Sequence, residues 1–270
     1  MKTKIFIGLL CIFISLTIYF IGSYQKPIEL IDVDTRSIEN YKANLEDELN
    51  EKFLELEEET YEDIENEEEV IEEIPDSYII DNLECVLQNP ELPTGCEITS
   101  LTIVLRYYGF DVSKTYMTDN YLNTIPAYSD YPSVGFWGSP YSSHSYGCEC
   151  PVIVNSANKF FSDNQSELIC CDISGTELDD LYQYIIQDKP VIVWATINMV
   201  NPYISGTYNM PDGGTYSWLA NFHCLVLYGY DKTNNIVYVS DPLKGNTTYD
   251  YDIFKQRYEQ LKKQACIIET

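Results

Sequence analysis

Apolar residues fall into three regimes along the chain. Residues 5–22 form an uninterrupted apolar run without a charge, behind the basic start Met1-Lys-Thr-Lys4. From about residue 29 to residue 76 polar, mostly acidic positions dominate, broken by Leu45, Leu49, Phe53 and Leu56 at helical spacing. From about Ser77 onward, alternating and three-to-four-residue periodicities return. Ile98, Leu101, Thr102, Leu105 and Tyr108 recur with one helical face, predicting a helix over residues 97–108. Pro93-Thr-Gly95 breaks the chain ahead of it and leaves Thr94 or Gly95 to cap it, and Gly109 stops it. Residues 115–140, with three prolines and two glycines, read as loop. Residues 151–161 predict a second helix, with Pro151 in its first turn, and residues 176–187 a third, with Leu178, Leu181, Tyr182 and Ile185 on one face.

The second half reads differently. Residues 190–197 are β-branched and aromatic and predict a buried strand. Residues 223–229 and 236–240 predict two more strands, joined by the turn-forming cluster Asp231-Lys-Thr-Asn-Asn235. Folding this hairpin about Thr233 sets Asp241 opposite Leu225, two residues from His223. Helices first and an antiparallel sheet afterwards predict an α+β domain over residues 77–270.

Charge sharpens the division. The chain carries 43 Asp and Glu against 16 Lys and Arg, a formal net charge of −27. Much of that lies in residues 24–76, where like charges oppose compact packing, so an extended or partly helical spacer is expected. So acidic a protein repels phosphates, which excludes nucleic acid as an expected partner. The apolar run of residues 1–23 is long enough to span a bilayer and is expected to be an uncleaved membrane anchor, a cleaved signal peptide being the alternative. Either exports the rest of the chain.

Nine cysteines and two histidines bound the chemistry. Cysteine spacing does not define a disulfide framework, and Cys148-Glu-Cys150 with Cys170-Cys171 lacks the pairs and histidines of a zinc site, so no metal and no cofactor is expected. Cys96 opens a helix, where the positive end of the helix dipole and a nearby imidazolium would favour the nucleophilic thiolate. His223 is the candidate base, with Asp241 orienting its ring, and Gln88 the candidate oxyanion donor. The other histidine, His144, sits in Tyr141-Ser-Ser-His-Ser145 and is expected to be an exposed loop residue. Trp137, Tyr141, Tyr146 and Trp218 are candidates to line a substrate groove.

The segment QNPELPTGCEITSLTIVLRYYG, residues 88–109, resembles the Gln…Cys-helix…Tyr-Tyr-Gly signature of the bacteriocin-processing peptidases and their stand-alone relatives, papain-like cysteine peptidases of family C thirty-nine. Gly135-Phe-Trp-Gly-Ser-Pro-Tyr141, Val191-Ile-Val-Trp-Ala-Thr196, the segment from His223 to Gly229 and Ser240-Asp-Pro-Leu-Lys-Gly245 extend the resemblance. It implies a papain-like fold, an N-terminal helix carrying the cysteine packed on a C-terminal antiparallel sheet carrying His and Asp. It also implies Cys96 as nucleophile, His223 as base, Asp241 as orienting acid, Gln88 in the oxyanion hole, and a peptide or protein as substrate. The Gln-to-Cys spacing is longer than in members that cut after Gly-Gly, and the anchor and acidic spacer point to a cell-surface hydrolase rather than a leader peptidase. Transamidation or cell-wall peptide cleavage on the same machinery, and a non-catalytic surface-binding module, are the alternatives.

Overall fold

Strand β8 (Phe222–Asp231) organises the fold, because it is long enough to pair with three partners. One edge takes β9 (Ile236–Asp241); the other takes β5 (Val191–Thr196) along its first half and β1 (Ser77–Ile79) along its end. The sheet continues as β10 (Gly245–Asp250) beyond β9, and as β11 (Ala265–Glu269) and β4 (Ile169–Asp172) beyond β5. Every pairing in it is antiparallel. This computed structural model describes residues 74–270. The anchor or signal expected over residues 1–23, most of the spacer of residues 24–76 and Cys11 lie outside the described residues. Among the described residues no helix is long and apolar enough to cross a membrane.

Helix α1 (Cys96–Tyr107) lies against β8 and β5. The residue before it must be glycine: a Cβ on Gly95 would come within 2.8 Å of Leu92 Cβ. The helix ends where Gly109 adopts φ +90. There Gly109 N–H donates to Arg106 O and Phe110 N–H to Leu105 O, satisfying carbonyls that the helix leaves open. The periodicity implied one buried stripe, yet every residue from Cys96 to Leu105 is buried, including Glu97, Thr99 and Ser100. Neighbouring elements therefore cover the polar flank as well as the apolar one.

Two helix expectations are corrected. The loop expected over residues 115–140 instead begins within helix α2 (Lys114–Tyr121), where the side chain of the preceding Ser113 accepts from the Tyr116 N–H at 3.1 Å. Only Met117 and Thr118 are buried in it, so it leaves no periodic apolar signal. The helix expected over residues 176–187 is instead a 3-10 turn (Asp179–Leu181) running into the short α4 (Tyr182–Ile185), although its buried face is the expected one. Helix α3 (Cys150–Asp163), with Pro151 in its first turn, packs on β4 and β11. Helix α5 (Tyr251–Gln260) packs on β5, β9 and β10.

Away from this core, β6 (Ile204–Asn209) and β7 (Thr215–Leu219) form a hairpin, and β2 (Thr124–Ile125) pairs with β3 (Phe136–Trp137). Trp137 and Trp218 stack at 5.5 Å between these pieces and are buried with Met210. Two of the four groove candidates are therefore packing residues. Tyr146 is half-buried against them, and only Tyr141 is exposed.

The N-terminal edge of the described residues is tied into the sheet. Tyr230 Oη donates to Pro75 O at 3.0 Å, and Ile80 is buried. A chain begun at Ile74 should melt within a degree or two of the full chain, whereas one begun at Leu83, lacking β1, should melt several degrees lower; calorimetry on the two distinguishes them.

Candidate active site

The four candidate residues converge where the start of α1 meets β8 and the end of β9. His223 and Asp241 form a buried pair, Nε2 to Oδ1 at 2.7 Å. Their meeting depends on a register detail that the turn alone would have spoiled. The hairpin closes with Asp231 opposite Ile236, which, continued without interruption, sets Asp241 opposite Val226, on the face away from His223. A bulge between Leu227 and Gly229 shifts the ladder by one, to Val226 opposite Ser240. One step further sets Asp241 beside Leu225, on the same face as His223 and diagonal to it. The expected placement is thus reached, with the bulge rather than the turn as its cause.

Asp241 accepts two further hydrogen bonds, from Leu243 N–H at 2.8 Å and from Tyr249 Oη at 2.9 Å. Burial pushes its carboxyl up, but the hydrogen bonds from His223, Leu243 and Tyr249 outweigh that and hold it below the ordinary carboxylate range. Asp241 occupies Nε2, which leaves Nδ1 as the ring nitrogen without a hydrogen bond among the described residues.

Cys96 Sγ rests one residue along β8 from His223, accepting from Cys224 N–H at 3.4 Å. It donates its proton to Glu97 Oε2 at 3.2 Å. Cys96 and His223 share no hydrogen bond, so the expected thiolate–imidazolium pair is not the resting arrangement. The thiol is pushed well above its ordinary value, first by burial and then by the charge of Glu97, with the Cys224 N–H pulling the other way.

Gln88 reaches the same corner because the loop after it folds back on itself. Leu92 N–H donates to Gln88 O at 2.9 Å and Gly95 N–H to Leu92 O at 3.0 Å, taking up the long spacing between Gln88 and Cys96. Gln88 N–H donates to Pro242 O at 2.8 Å, tying it to the residue after Asp241. Its side-chain Nε2 donates one proton to Pro93 O at 2.8 Å, while Oε1 is buried with no partner. Lys114, on the helix that periodicity missed, holds Gln88 O at 2.8 Å and pairs with Glu91 at 2.7 Å.

Glu97 and Tyr249 are the contributors that sequence reading did not single out. An acid in a helix's first turn ordinarily faces solvent and the dipole, so nothing in the pattern marks Glu97 as fully buried. Burial raises its carboxyl to about 7 from an ordinary 4.5. The fold therefore carries a strained anion above pH 7, at a cost of about 3 kcal/mol that vanishes below the unfolded-state value. Glu97→Gln should accordingly melt several degrees above the parent at about pH 8 and no higher than it near pH 4. His144, by contrast, is exposed and bonds only its serine neighbours.

A model of the Peptidase_C39 like family matches residues 80–266, well over half of the chain. The chain belongs to the Peptidase_C39 like family. It is 30% identical over 197 residues to the uncharacterized protein YvpB of Bacillus subtilis (strain 168), covering 69% of this chain and 75% of that one. A crystal structure from Bacillus anthracis, described as that of a C39-like peptidase, superposes with a TM-score of 0.64 at 27% identity. That match spans 72% of this chain and 98% of the other. The C39-like α+β fold, a cysteine-bearing helix on an antiparallel sheet bearing His and Asp, is therefore that of this protein.

Proposed function

We propose that this C39-like domain is a cysteine peptidase that hydrolyses peptide or amide bonds through Cys96, His223 and Asp241, with Gln88 as an oxyanion donor. The observation that carries the reading is the buried His223–Asp241 pair one residue from the N–H that holds Cys96 Sγ. In the first half-reaction His223 Nδ1 takes the thiol proton and Sγ attacks the substrate carbonyl carbon. The carbonyl oxygen becomes an oxyanion held by the Cys96 N–H, which has no acceptor within the helix, and by the free proton of Gln88 Nε2. His223 returns the proton to the amine nitrogen, the C–N bond breaks, and a thioester remains. Water then attacks the thioester while His223 accepts its proton and passes it back to sulfur, releasing the acid. Asp241 keeps the ring in the tautomer that both steps need.

The substrate in this proposal is a peptide or protein outside the cell, since the basic, apolar start of the chain suits an anchor with the domain beyond the membrane. The test is alkylation by iodoacetamide or an E-64-type epoxide, with the modified residues mapped and hydrolysis of a mixed peptide substrate followed in parallel. Activity should disappear in step with modification of Cys96, and full hydrolysis with Cys96 completely blocked overturns the proposal. Gln88→Ala should lower kcat by about two to three powers of ten with little change in KM, as steady-state kinetics will show. A near-parental kcat would assign the oxyanion to backbone N–H groups.

A further inference from the structure

We propose that Glu97 is a positioning residue for Cys96, engaging its S–H so that the free enzyme keeps a neutral thiol until substrate and His223 draw the proton away. This rests on the reading of Cys96 as nucleophile and adds a restraint to it.

The geometry is specific on both sides of the carboxylate. Oε2 accepts the thiol at 3.2 Å, and Oε1 is pinned by Cys148 N–H at 2.8 Å. The loop that supplies that N–H approaches so closely that a Cβ on Gly147 would lie 2.3 Å from Oε1, and only glycine leaves the carboxylate in place. The groups facing Glu97 are Cys96 on its own helix, Gly147 and Cys148 from the loop before α3, and Cys224 from β8. Its titratable neighbours are thus thiols, and among the described residues no cation shifts its carboxyl. A carboxylate so placed opposes the formation of a second negative charge on Cys96. For a thiol held outside the cell this has a use, because a neutral thiol resists alkylation and oxidation.

Glu97→Gln in the full chain separates this role from simple packing. The amide oxygen can keep the Cys148 N–H, while the amide nitrogen faces Sγ as a donor, which removes the charge and reverses the hydrogen bond. Iodoacetamide labelling of Cys96, mapped by mass spectrometry from about pH 5.5 to about pH 9, should run roughly tenfold faster at pH 7, with the whole profile displaced to lower pH. Buried Cys150 and Cys266 serve as sentinels and should label no faster, whereas loosened packing would speed them too. An unmoved or upward-displaced profile at Cys96, or acceleration shared with the sentinels, overturns the proposal.

Should the variant not fold, the parent protein decides. Its Cys96 labelling should fall by less than tenfold per pH unit around pH 7, where Glu97 takes up its proton and ceases to oppose the thiolate. A strict tenfold slope through that region overturns the proposal. Failure of the peptidase reading looks different: hydrolysis would survive Cys96→Ser while the labelling profiles still shifted.

Discussion

Cys96→Ser should reduce hydrolysis by about four powers of ten or more while leaving the melting temperature within a degree or two of the parent. The size of the kinetic effect follows from the loss of the nucleophile, since a serine hydroxyl beside His223 lacks the acidity of a thiol. The small thermal effect follows from the surroundings of the sulfur. Serine Oγ can donate to Glu97 Oε2 and accept from Cys224 N–H as Sγ does. Initial rates on a peptide substrate together with calorimetry provide the measurement. Retained hydrolysis would move the nucleophile elsewhere; loss of activity with a collapsed melting temperature would show that the sulfur's packing was the larger matter.

His223→Ala should lower kcat by about three powers of ten or more and also destabilise the domain, whereas His144→Ala should do neither. The stability effect has a predictable pH dependence. Asp241 is depressed in the folded state, so its contribution is fully present above the unfolded carboxylate value and is lost as pH falls through the folded one. Removing the imidazole leaves a buried carboxylate with only Leu243 N–H and Tyr249 Oη as donors. Its folded value rises and part of that contribution disappears. The deficit in melting temperature should therefore be large near pH 7 and shrink as pH falls through the parent's depressed folded value, below which the carboxyl is protonated in either protein. Paired kinetic and thermal scans of the two histidine variants will show it. A more damaging His144→Ala would mean that the site has been drawn around the wrong ring.

Several parts of this protein follow from residue order alone. Pro93-Thr-Gly95 ahead of Cys96, and Gly109 after it, determine where α1 begins and ends, because the close approach to Leu92 and the positive φ both demand glycine. The uncharged run at residues 191–196, β-branched but for Trp194 and Ala195, determines a strand buried on both sides. The order Gln88, Cys96, His223, Asp241 then places the candidates on a loop, a helix start and the two strands of a hairpin. These signals are local, so they survive being read one segment at a time.

What required the folded chain is non-local. Helix α2 has no apolar stripe, because only two of its residues meet the core, yet its Lys114 holds the carbonyl of Gln88. The bulge at Leu227–Gly229 decides whether Asp241 and His223 share a face; it lies where β1 and β9 both press on β8, and no turn residue announces it. The upward push on the Cys96 thiol comes from burial and from Glu97, and neither can be seen in a sequence that does not say which flank of α1 is covered. Periodicity reports which residues prefer to leave water; which polar groups are carried in with them is settled by the elements that pack over them.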